Sequence, residues 1–214
     1  YQRAYDQIIH DVAMQNLSVI MCVDRAVIVG ADGETHQGTL DMAFFRLVPN
    51  LTIMAPKDFK EFEDMLEFAV GLNKPVVIRY PRGGEDAEVK FKIHAKIELG
   101  KAEVLHEVKN LENPTKEVTI IAIGKTVSEA VKLADRMQKE EVITPEIINA
   151  RFLKPFDSGK MIQSIQRTKN VITIEDGTVI NGLATTVKEL IVDNNIQNVK
   201  FKSYAYPDKF IMHT

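Results

Sequence analysis

The sequence predicts an α/β protein made of two three-layer α/β/α domains with mainly parallel sheets. One observation behind this prediction is that short strand candidates, apolar throughout, alternate with segments whose apolar residues recur at helical spacing. Such strands are typical of parallel sheets that helices cover on both faces. The other observation is that the alternation occurs in two blocks, and a chain of 214 residues is long enough for two domains of about 100 residues each.

The first block, residues 1–83, begins with a helical pattern in which Tyr5, Ile8, Ile9 and Val12 form the apolar face. Strands and helices then alternate up to the end of the block. In chain order we predict strand 18–23, a glycine-rich loop over 25–38, helix 39–47, strand 51–54, a helix capped by Asp58 and Glu61, and strand 76–80.

Residues 84–116 have mixed charge and are predicted to be a linker with a hairpin around 98–108. The second block, residues 117–214, repeats the α/β pattern. It contains predicted strands 118–123, 143–148, 170–174 and 199–204, a helix opened by a capping box at Thr126 and Glu129, and helices 158–165 and 181–192.

Composition restricts the partners and the location of the protein. A net charge of −3 and a pI near 6.0 give no reason to expect nucleic acid or an anionic membrane as a partner, because both require clustered Lys and Arg. The single Cys22 excludes an internal disulfide and paired-cysteine metal sites, so a cytoplasmic location is expected. Since Cys22 lies within an apolar run, we predict that it is a small buried hydrophobic residue.

Polar residues follow the predicted strands of the first block at the edge where ligands collect in parallel sheets. Arg25 follows strand 18–23 and Arg82 follows strand 76–80. Arg3 opens a helix that we expect to follow a strand preceding Tyr1, so it belongs to the same edge.

Asp32 and His36 lie in the loop after Arg25. Guanidinium groups at this edge could clamp a phosphate or a carboxylate, because the planar fork donates hydrogen bonds in pairs. Imidazole titrates near neutral pH, so His36 could transfer a proton, with Asp32 as its partner or as a ligand for a substrate hydroxyl.

The same residues also allow ordinary structural roles. Arg25 could pair with Asp24, Arg82 could be a solvated loop residue, and His36 could be merely exposed. Gly30, Gly33 and Gly38 permit close backbone approach to a ligand but do not form the G-x-G-x-x-G fingerprint, so a nicotinamide site is not predicted.

Four segments together resemble the 1-deoxy-D-xylulose-5-phosphate synthase family, a group of transketolase-like thiamine-diphosphate enzymes. The Asp-Gly-x-Thr-His-Gln core is shared with other transketolase-like enzymes, and the surrounding residues favour the synthase. The segments are Gln2-Arg3-Ala4-Tyr5-Asp6-Gln7, Asp24-Arg25-Ala26, Val29-Gly30-Ala31-Asp32-Gly33-Glu34-Thr35-His36-Gln37-Gly38 and Arg79-Tyr80-Pro81-Arg82-Gly83.

The resemblance implies a transferase that condenses pyruvate with D-glyceraldehyde 3-phosphate, with loss of CO₂, in isoprenoid and thiamine biosynthesis. Arg25 and Arg82 would hold the phosphate of the aldehyde. Asp32 and His36 would contact its oxygens and handle protons as the catalytic residues, and Arg3 would face the pyruvate-derived carboxylate or intermediate. The domains would be a pyrimidine-binding domain, incomplete at its amino terminus, and a transketolase C-terminal-like domain.

The resemblance also implies thiamine diphosphate and Mg²⁺, bound mainly by an amino-terminal part. The activating Glu and the Gly-Asp-Gly diphosphate motif of the family do not occur in this chain, and Glu175-Asp176-Gly177 lies in the wrong context to replace that motif. We therefore expect the chain to be a fragment at both ends, inactive alone, whose partners are the amino-terminal domain and a second subunit of a homodimer.

Two other functions fit parts of the pattern. The β subunit of a 2-oxoacid dehydrogenase, or another transketolase-like enzyme, has the same pair of domains, but a lipoyl acceptor does not require the two arginines Arg25 and Arg82. A non-catalytic binding or assembly module would keep the fold without the chemistry.

Overall fold

Two sheets are present in the computed structural model, which describes residues 1–29, 33–106, 117–140 and 143–212. The first sheet has the strand order β1-β3-β2-β7 and the second has the order β4-β6-β5-β8-β9. The strands are β1 (Ile20–Val23), β2 (Thr52–Met54), β3 (Val76–Arg79), β4 (Glu103–His106), β5 (Glu117–Ala122), β6 (Thr144–Asn149), β7 (Phe152–Lys154), β8 (Asn170–Thr178) and β9 (Lys200–Tyr206).

Helices connect most of these strands. They are α1 (Tyr5–Gln7), continued by the π-helical residues Ile8–Ala13, then α2 (Asp41–Arg46), α3 (Phe59–Leu72), α4 (Thr126–Glu140), α5 (Ser158–Thr168) and α6 (Leu183–Asp193). Within the described ranges, none of these helices has the length and apolar character that crossing a membrane requires.

Most strand pairs are parallel, which confirms the predicted fold class. In the first sheet, β3 pairs in parallel with both β1 and β2. In the second sheet, β5 pairs in parallel with β6 and β8, and β9 joins β8 in the same way. Parallel neighbours require long crossover connections, and the helices provide them.

Helices cover β3 on both faces, which explains why all four of its residues are buried. Val76 and Ile78 pack in one apolar cluster with Met65 of α3. Val77 packs in a different cluster with Phe45 of α2. Because successive residues of a strand face opposite sides, a central strand between two helical layers needs the continuous apolar run that the sequence contains.

β1 lies at the edge of the first sheet, and its residues alternate between core and solvent. Met21 and Val23 are buried in the core, whereas Cys22 is exposed. The prediction that Cys22 is a buried hydrophobic residue is therefore wrong. An apolar run does not reveal that a strand lies at a sheet edge, where one face can remain open.

The two predicted helix caps differ in outcome. The Asp58 carboxylate accepts a hydrogen bond from the Glu61 amide at 2.8 Å, so the cap of α3 is confirmed. The capping box at the start of α4 is wrong, because the Thr126 hydroxyl lies 2.8 Å from the Ile123 carbonyl and 2.9 Å from the Ile174 carbonyl. Thr126 thus ties the helix to the end of β5 and to the middle of β8.

The two blocks are joined more closely than the sequence pattern predicts. In the described part of the predicted hairpin, β4 pairs antiparallel with β6 of the second sheet and not with its neighbour in sequence. The unpredicted strand β7 leaves the second block and pairs antiparallel with β2 of the first sheet. Each sheet therefore contains a strand from outside its own α/β block.

A buried polar network also joins the two blocks where β7 and β4 meet α3. The Lys57 ammonium lies 2.6 Å from Glu103 and 3.2 Å from Glu61. Arg151 lies 2.7 Å from Glu61 and 3.0 Å from Glu103, and the Asn149 amide donates to Glu61 at 3.0 Å. All five side chains are buried, and the two cations balance the two carboxylates.

The cations of this network hold the Glu103 carboxylate in its charged form. Burial alone would raise its pKa, but the Lys57 ammonium and then the Ala95 amide and Arg151 lower the pKa of Glu103 below its ordinary value of 4.5. A carboxyl whose pKa is depressed by folding stabilises the folded state above its ordinary pKa. This contribution is lost as the pH falls through the depressed value.

We expect Arg151→Met to lower the free energy of unfolding by about 3–5 kcal/mol, because two buried carboxylates would then face one ammonium group. Urea unfolding at neutral pH measures this change. Lys60→Met, which removes an exposed ion pair with Asp64, serves as the control and should leave the unfolding midpoint unchanged. An Arg151 variant as stable as the parent chain would contradict the proposed importance of the network.

Candidate functional site

The loop after β1 is closed by its own backbone. The Arg25 carbonyl accepts hydrogen bonds from the Val27 amide at 2.7 Å and from the Gly38 amide at 2.9 Å. A Cβ atom on Gly38 would lie 2.2 Å from the Arg25 carbonyl oxygen, so the position requires glycine. Gly38 thus permits close approach to the chain itself, and it brings Arg25 near the segment that carries His36.

The segments that carry the three predicted arginines meet at one edge of the first sheet. The Ala26 amide donates to the Tyr80 carbonyl at 3.1 Å, which joins the segment after β1 to the segment that leads to Arg82. The Tyr1 hydroxyl donates to the Cys22 carbonyl at 3.0 Å, which places the segment of Arg3 beside β1. The convergence of the guanidinium groups on one ligand stays a prediction.

The predicted residues differ in their surroundings. The Arg25 guanidinium lies 2.7 Å from Asp24, with 39% of its side chain exposed, so the pairing that the sequence left open is present. Arg3 and Arg82 are exposed. His36 is exposed too, and its Nδ1 lies 2.9 Å from the Thr35 hydroxyl.

Asp32, the second predicted catalytic residue, lies outside the described residues. Its role beside His36 therefore stays a prediction.

A cavity of about 820 Å³ lies beside this loop, between the first block and the end of the second. Its lining includes Gln2, next to Arg3, and Thr35 and Gln37, on either side of His36. The second block contributes Tyr206 and the segment that follows it. A ligand in the cavity would thus contact both blocks.

Two groups in the cavity wall are suited to hydrogen bonding with a ligand. The buried Nε2 of Gln37 finds no hydrogen-bond acceptor in the part of the chain that the structure describes. Buried donors are normally satisfied, so we expect this amide to pair with an acceptor outside the described residues or with a ligand. The Tyr206 hydroxyl is protonated at neutral pH and can donate to a ligand, and burial, followed by the charge of Asp176, raises its pKa further.

Gln37 and Tyr206 were not selected from the sequence. Gln37 lies within a motif quoted for the resemblance, so its position beside His36 was a usable signal. Tyr206 had no such signal, because only the folded chain brings the end of β9 to this loop.

A third group that was not selected as a site residue, although it lies within a quoted segment, is Arg79, the last residue of β3, which is only 2% exposed. Its Nε lies 2.7 Å from Asp41 at the start of α2, and its Nη1 lies 2.5 Å from Asp176 of β8. Its Nη2 donates to the carbonyls of Ala26 at 3.1 Å and Gly38 at 3.4 Å. Arg79 therefore contacts both ends of the candidate loop and the second block.

The carboxylates of Glu175 and Asp176 bind protein groups. Asp176 pairs with Arg79, and Glu175 accepts hydrogen bonds from the Leu183 and Ala184 amides at 2.7 and 2.8 Å, at the start of α6. Within the described ranges, no cluster of three His, Cys, Asp or Glu side chains has an arrangement that could hold a metal ion. These residues therefore do not fit a magnesium-diphosphate site.

We expect Gly38→Ala to lower the free energy of unfolding by about 1–3 kcal/mol, because the new methyl group would force the closed loop apart. Gly71→Ala is the matched control, since a Cβ there meets no atom within 4 Å and alanine favours the helix. Thermal unfolding of both variants measures the two changes in stability. Equal effects of the two substitutions would show that the contact between Gly38 and Arg25 does not constrain the loop.

The two blocks match two models of one protein family. The model described as "Transketolase, pyrimidine binding domain" matches residues 1–84, and "Transketolase, C-terminal domain" matches residues 107–214. Among solved structures, a chain named "Split gene transketolase, inactive beta4 tetramer" superposes with a TM-score of 0.81 at 26% identity, covering 97% of this chain and 64% of that one.

Curated relatives carry a more specific name. The 1-deoxy-D-xylulose-5-phosphate synthase of Natranaerobius thermophilus is 42% identical over 212 residues, which cover 99% of this chain and 32% of that protein. The synthases of Halothermothrix orenii and Desulfotalea psychrophila are each 41% identical, over 99% and 100% of this chain and 32% of their own length. This chain spans about a third of the length of these relatives.

These matches confirm the resemblance that the four sequence segments indicated. The two family models match residues 1–84 and 107–214, and the relative from Natranaerobius thermophilus aligns with 99% of the chain. The chain belongs to the transketolase family, and within it is similar to the 1-deoxy-D-xylulose-5-phosphate synthases.

Proposed function

We propose that this chain forms the acceptor-substrate part of a 1-deoxy-D-xylulose-5-phosphate synthase. The reaction would condense pyruvate with D-glyceraldehyde 3-phosphate, with loss of CO₂. The observation that carries the proposal is about 40% identity to proteins of that name along nearly the whole chain. The loop motifs that first indicated the family lie within this aligned length.

Thiamine diphosphate is the cofactor that the family match supports, since the first block matches a pyrimidine-binding domain. We include Mg²⁺ in the proposal as the ion that would accompany its diphosphate. The described residues offer no ligand cluster for this ion, so the diphosphate and Mg²⁺ would be bound outside them. The roles proposed for this chain are therefore substrate binding and proton transfer.

The phosphate of the aldehyde would be bound by Arg25 and Arg82. Arg25 pairs with Asp24, but both side chains are substantially exposed, at 39% and 60%. Exposed ion pairs contribute little free energy, whereas a phosphate dianion accepts charge-assisted hydrogen bonds from several donors at once. Substrate phosphate should therefore compete well with Asp24 for the Arg25 guanidinium.

The remaining polar groups would act on the other end of the substrates. Arg3 would face the carboxylate derived from pyruvate. His36 and Asp32 would bind the aldehyde oxygens and move protons, and the Gln37 amide, which has no acceptor among the described residues, would bind a further substrate oxygen. Cationic and polar groups that are already in place stabilise the negative charge that develops on such oxygens.

The assembly we propose includes the amino-terminal part of the relatives, on the same chain or on another, and a second subunit of a homodimer in the cytoplasm. The similar split-gene transketolase is an inactive tetramer of its beta chains, as its name says. That example supports the idea that a chain with these two domains needs a complement for activity. The names of the relatives favour the synthase over a 2-oxoacid dehydrogenase subunit or a non-catalytic module.

We expect this chain alone to form no 1-deoxy-D-xylulose 5-phosphate from pyruvate and D-glyceraldehyde 3-phosphate, even with thiamine diphosphate and Mg²⁺ added. Activity should appear when a chain that supplies the amino-terminal two thirds of a relative is present. Product formation followed by mass spectrometry tests this. Turnover by the isolated chain would refute the division of roles, and no turnover by the reconstituted assembly would refute the proposed function.

In the active assembly, Arg25→Ala and Arg82→Ala should each raise KM for D-glyceraldehyde 3-phosphate by roughly 10- to 100-fold, because each removes a charge-assisted contact to phosphate. KM for unphosphorylated D-glyceraldehyde should change little. Steady-state kinetics with both aldehydes measures the difference. Arg136→Ala on the exposed side of α4 is the matched control. An unaltered preference for the phosphorylated aldehyde in the Arg25 and Arg82 variants would contradict phosphate binding by these two residues.

A further inference from the structure

Arg79 contacts the candidate loop, α2 and the second block at the same time. Its hydrogen bonds reach Ala26, which follows Arg25, and Gly38, which follows Gln37. Its ion pairs reach Asp41 of α2 and Asp176 of β8. The backbone also ties it to Arg82, because only Tyr80 and Pro81 separate the two residues.

The charge of Arg79 is held firmly in place. The side chain is buried, and burial alone would lower the pKa of Arg79, but the carboxylates of Asp176 and Asp41 outweigh burial and raise it. A guanidinium in this setting stays charged at every working pH. Since an unpaired buried charge is costly, Arg79 cannot move away from either carboxylate without loss of stability.

The geometry around Arg79 requires a planar group with several donors. Nε faces Asp41 and Nη1 faces Asp176, while Nη2 donates to the two loop carbonyls and also lies 3.4 Å from the Asp41 carboxylate and from the Asp176 carbonyl. A lysine ammonium is a single point of charge on a flexible stem and cannot occupy three places at once. In a lysine variant the hydrogen bonds to the loop carbonyls would break first, because these carbonyls are the weakest acceptors of the set.

We propose that Arg79 is a positioning residue that fixes the loop bearing Arg25 and His36 against the second block, so that binding of the aldehyde phosphate depends on the contact with Asp176. This proposal rests on the function proposed above. Arg79 itself is buried beneath the loop and would touch no substrate. Its effect would pass through the backbone at Ala26 and Gly38 to the residues next to them.

Arg46 provides a matched comparison. Like Arg79, it links the first block to the second, through ion pairing with Glu189 and a hydrogen bond to Asn181. It lies at the opposite end of α2 from Asp41. None of its hydrogen bonds or ion pairs described in the structure involves the candidate loop.

The test uses the active assembly with Arg79→Lys, Asp176→Asn and Arg46→Lys. Arg79→Lys should raise KM for D-glyceraldehyde 3-phosphate by roughly 10- to 100-fold, because small displacements of binding groups are costly. KM for pyruvate should stay within about threefold of the parent value. Asp176→Asn should also raise KM for D-glyceraldehyde 3-phosphate. Arg46→Lys should change neither this KM nor the KM for pyruvate.

Hydrogen exchange gives a second measurement that does not depend on activity. The amides of Ala26 and Gly38, bonded to the Tyr80 and Arg25 carbonyls, should exchange at least about ten times faster in Arg79→Lys and Asp176→Asn, since the loop would open locally. Unchanged exchange, an equal rise in both KM values, or the same effects in Arg46→Lys would overturn the proposal. If Arg79→Lys does not fold, the exchange rates and KM values of Asp176→Asn test the proposal.

These outcomes separate the two proposals. An assembly with parent residues that makes no 1-deoxy-D-xylulose 5-phosphate would remove the proposed function. The exchange rates at Ala26 and Gly38 would still show whether Arg79 holds the loop.

Discussion

Charged side chains buried between the two blocks must be fully paired, and this requirement determines how the blocks fit together. Two such sites exist in the described part of the chain, one around Arg151 and one around Arg79. In each, a guanidinium from one block meets carboxylates that include at least one from the other block or from the linker. Separation of the blocks would expose apolar surface and would also break these pairs.

The two sites contact different segments and have different consequences. The network around Arg151 accompanies the exchange of strands, where β7 joins the first sheet and β4 joins the second. It contributes to the stability of the contact between blocks. The site around Arg79 lies at the carboxyl end of β3, where parallel sheets bind ligands, and its hydrogen bonds there reach both ends of the candidate loop.

Much of the fold was predictable because local patterns determined it. The central strand β3 was found within a residue and the start of α3 was located correctly, since a continuous apolar run and an Asp58 cap are local signals. Cys22 and Thr126 were misjudged because their surroundings depend on distant segments: a sheet edge in one case and the Ile174 carbonyl in the other. The three-residue strand β7 is too short to show a period.

The candidate site was predictable to the extent that its chemistry lies in short motifs. Arg3, Arg25, Arg82 and His36 all occur next to predicted strand ends or within quoted segments, so they could be selected from the sequence. The partnership of Arg79 with Asp176 was not accessible, because the two residues lie in different blocks and nothing in either segment indicates its partner. Gln37 could have been selected because it lies within a quoted motif. Tyr206 could not, because only the fold brings it to the loop.

The positions of the predicted arginines suggest why the loop needs support from beneath. Arg25 and Arg82 are at least partly exposed, and exposed side chains lose conformational entropy when they bind a ligand. A closed backbone at Gly38 and a buried guanidinium under Ala26 would reduce the backbone part of that loss. The second block would thus contribute to substrate binding at this edge without placing a charged group on the phosphate, through the carboxylate of Asp176 that keeps Arg79 in position.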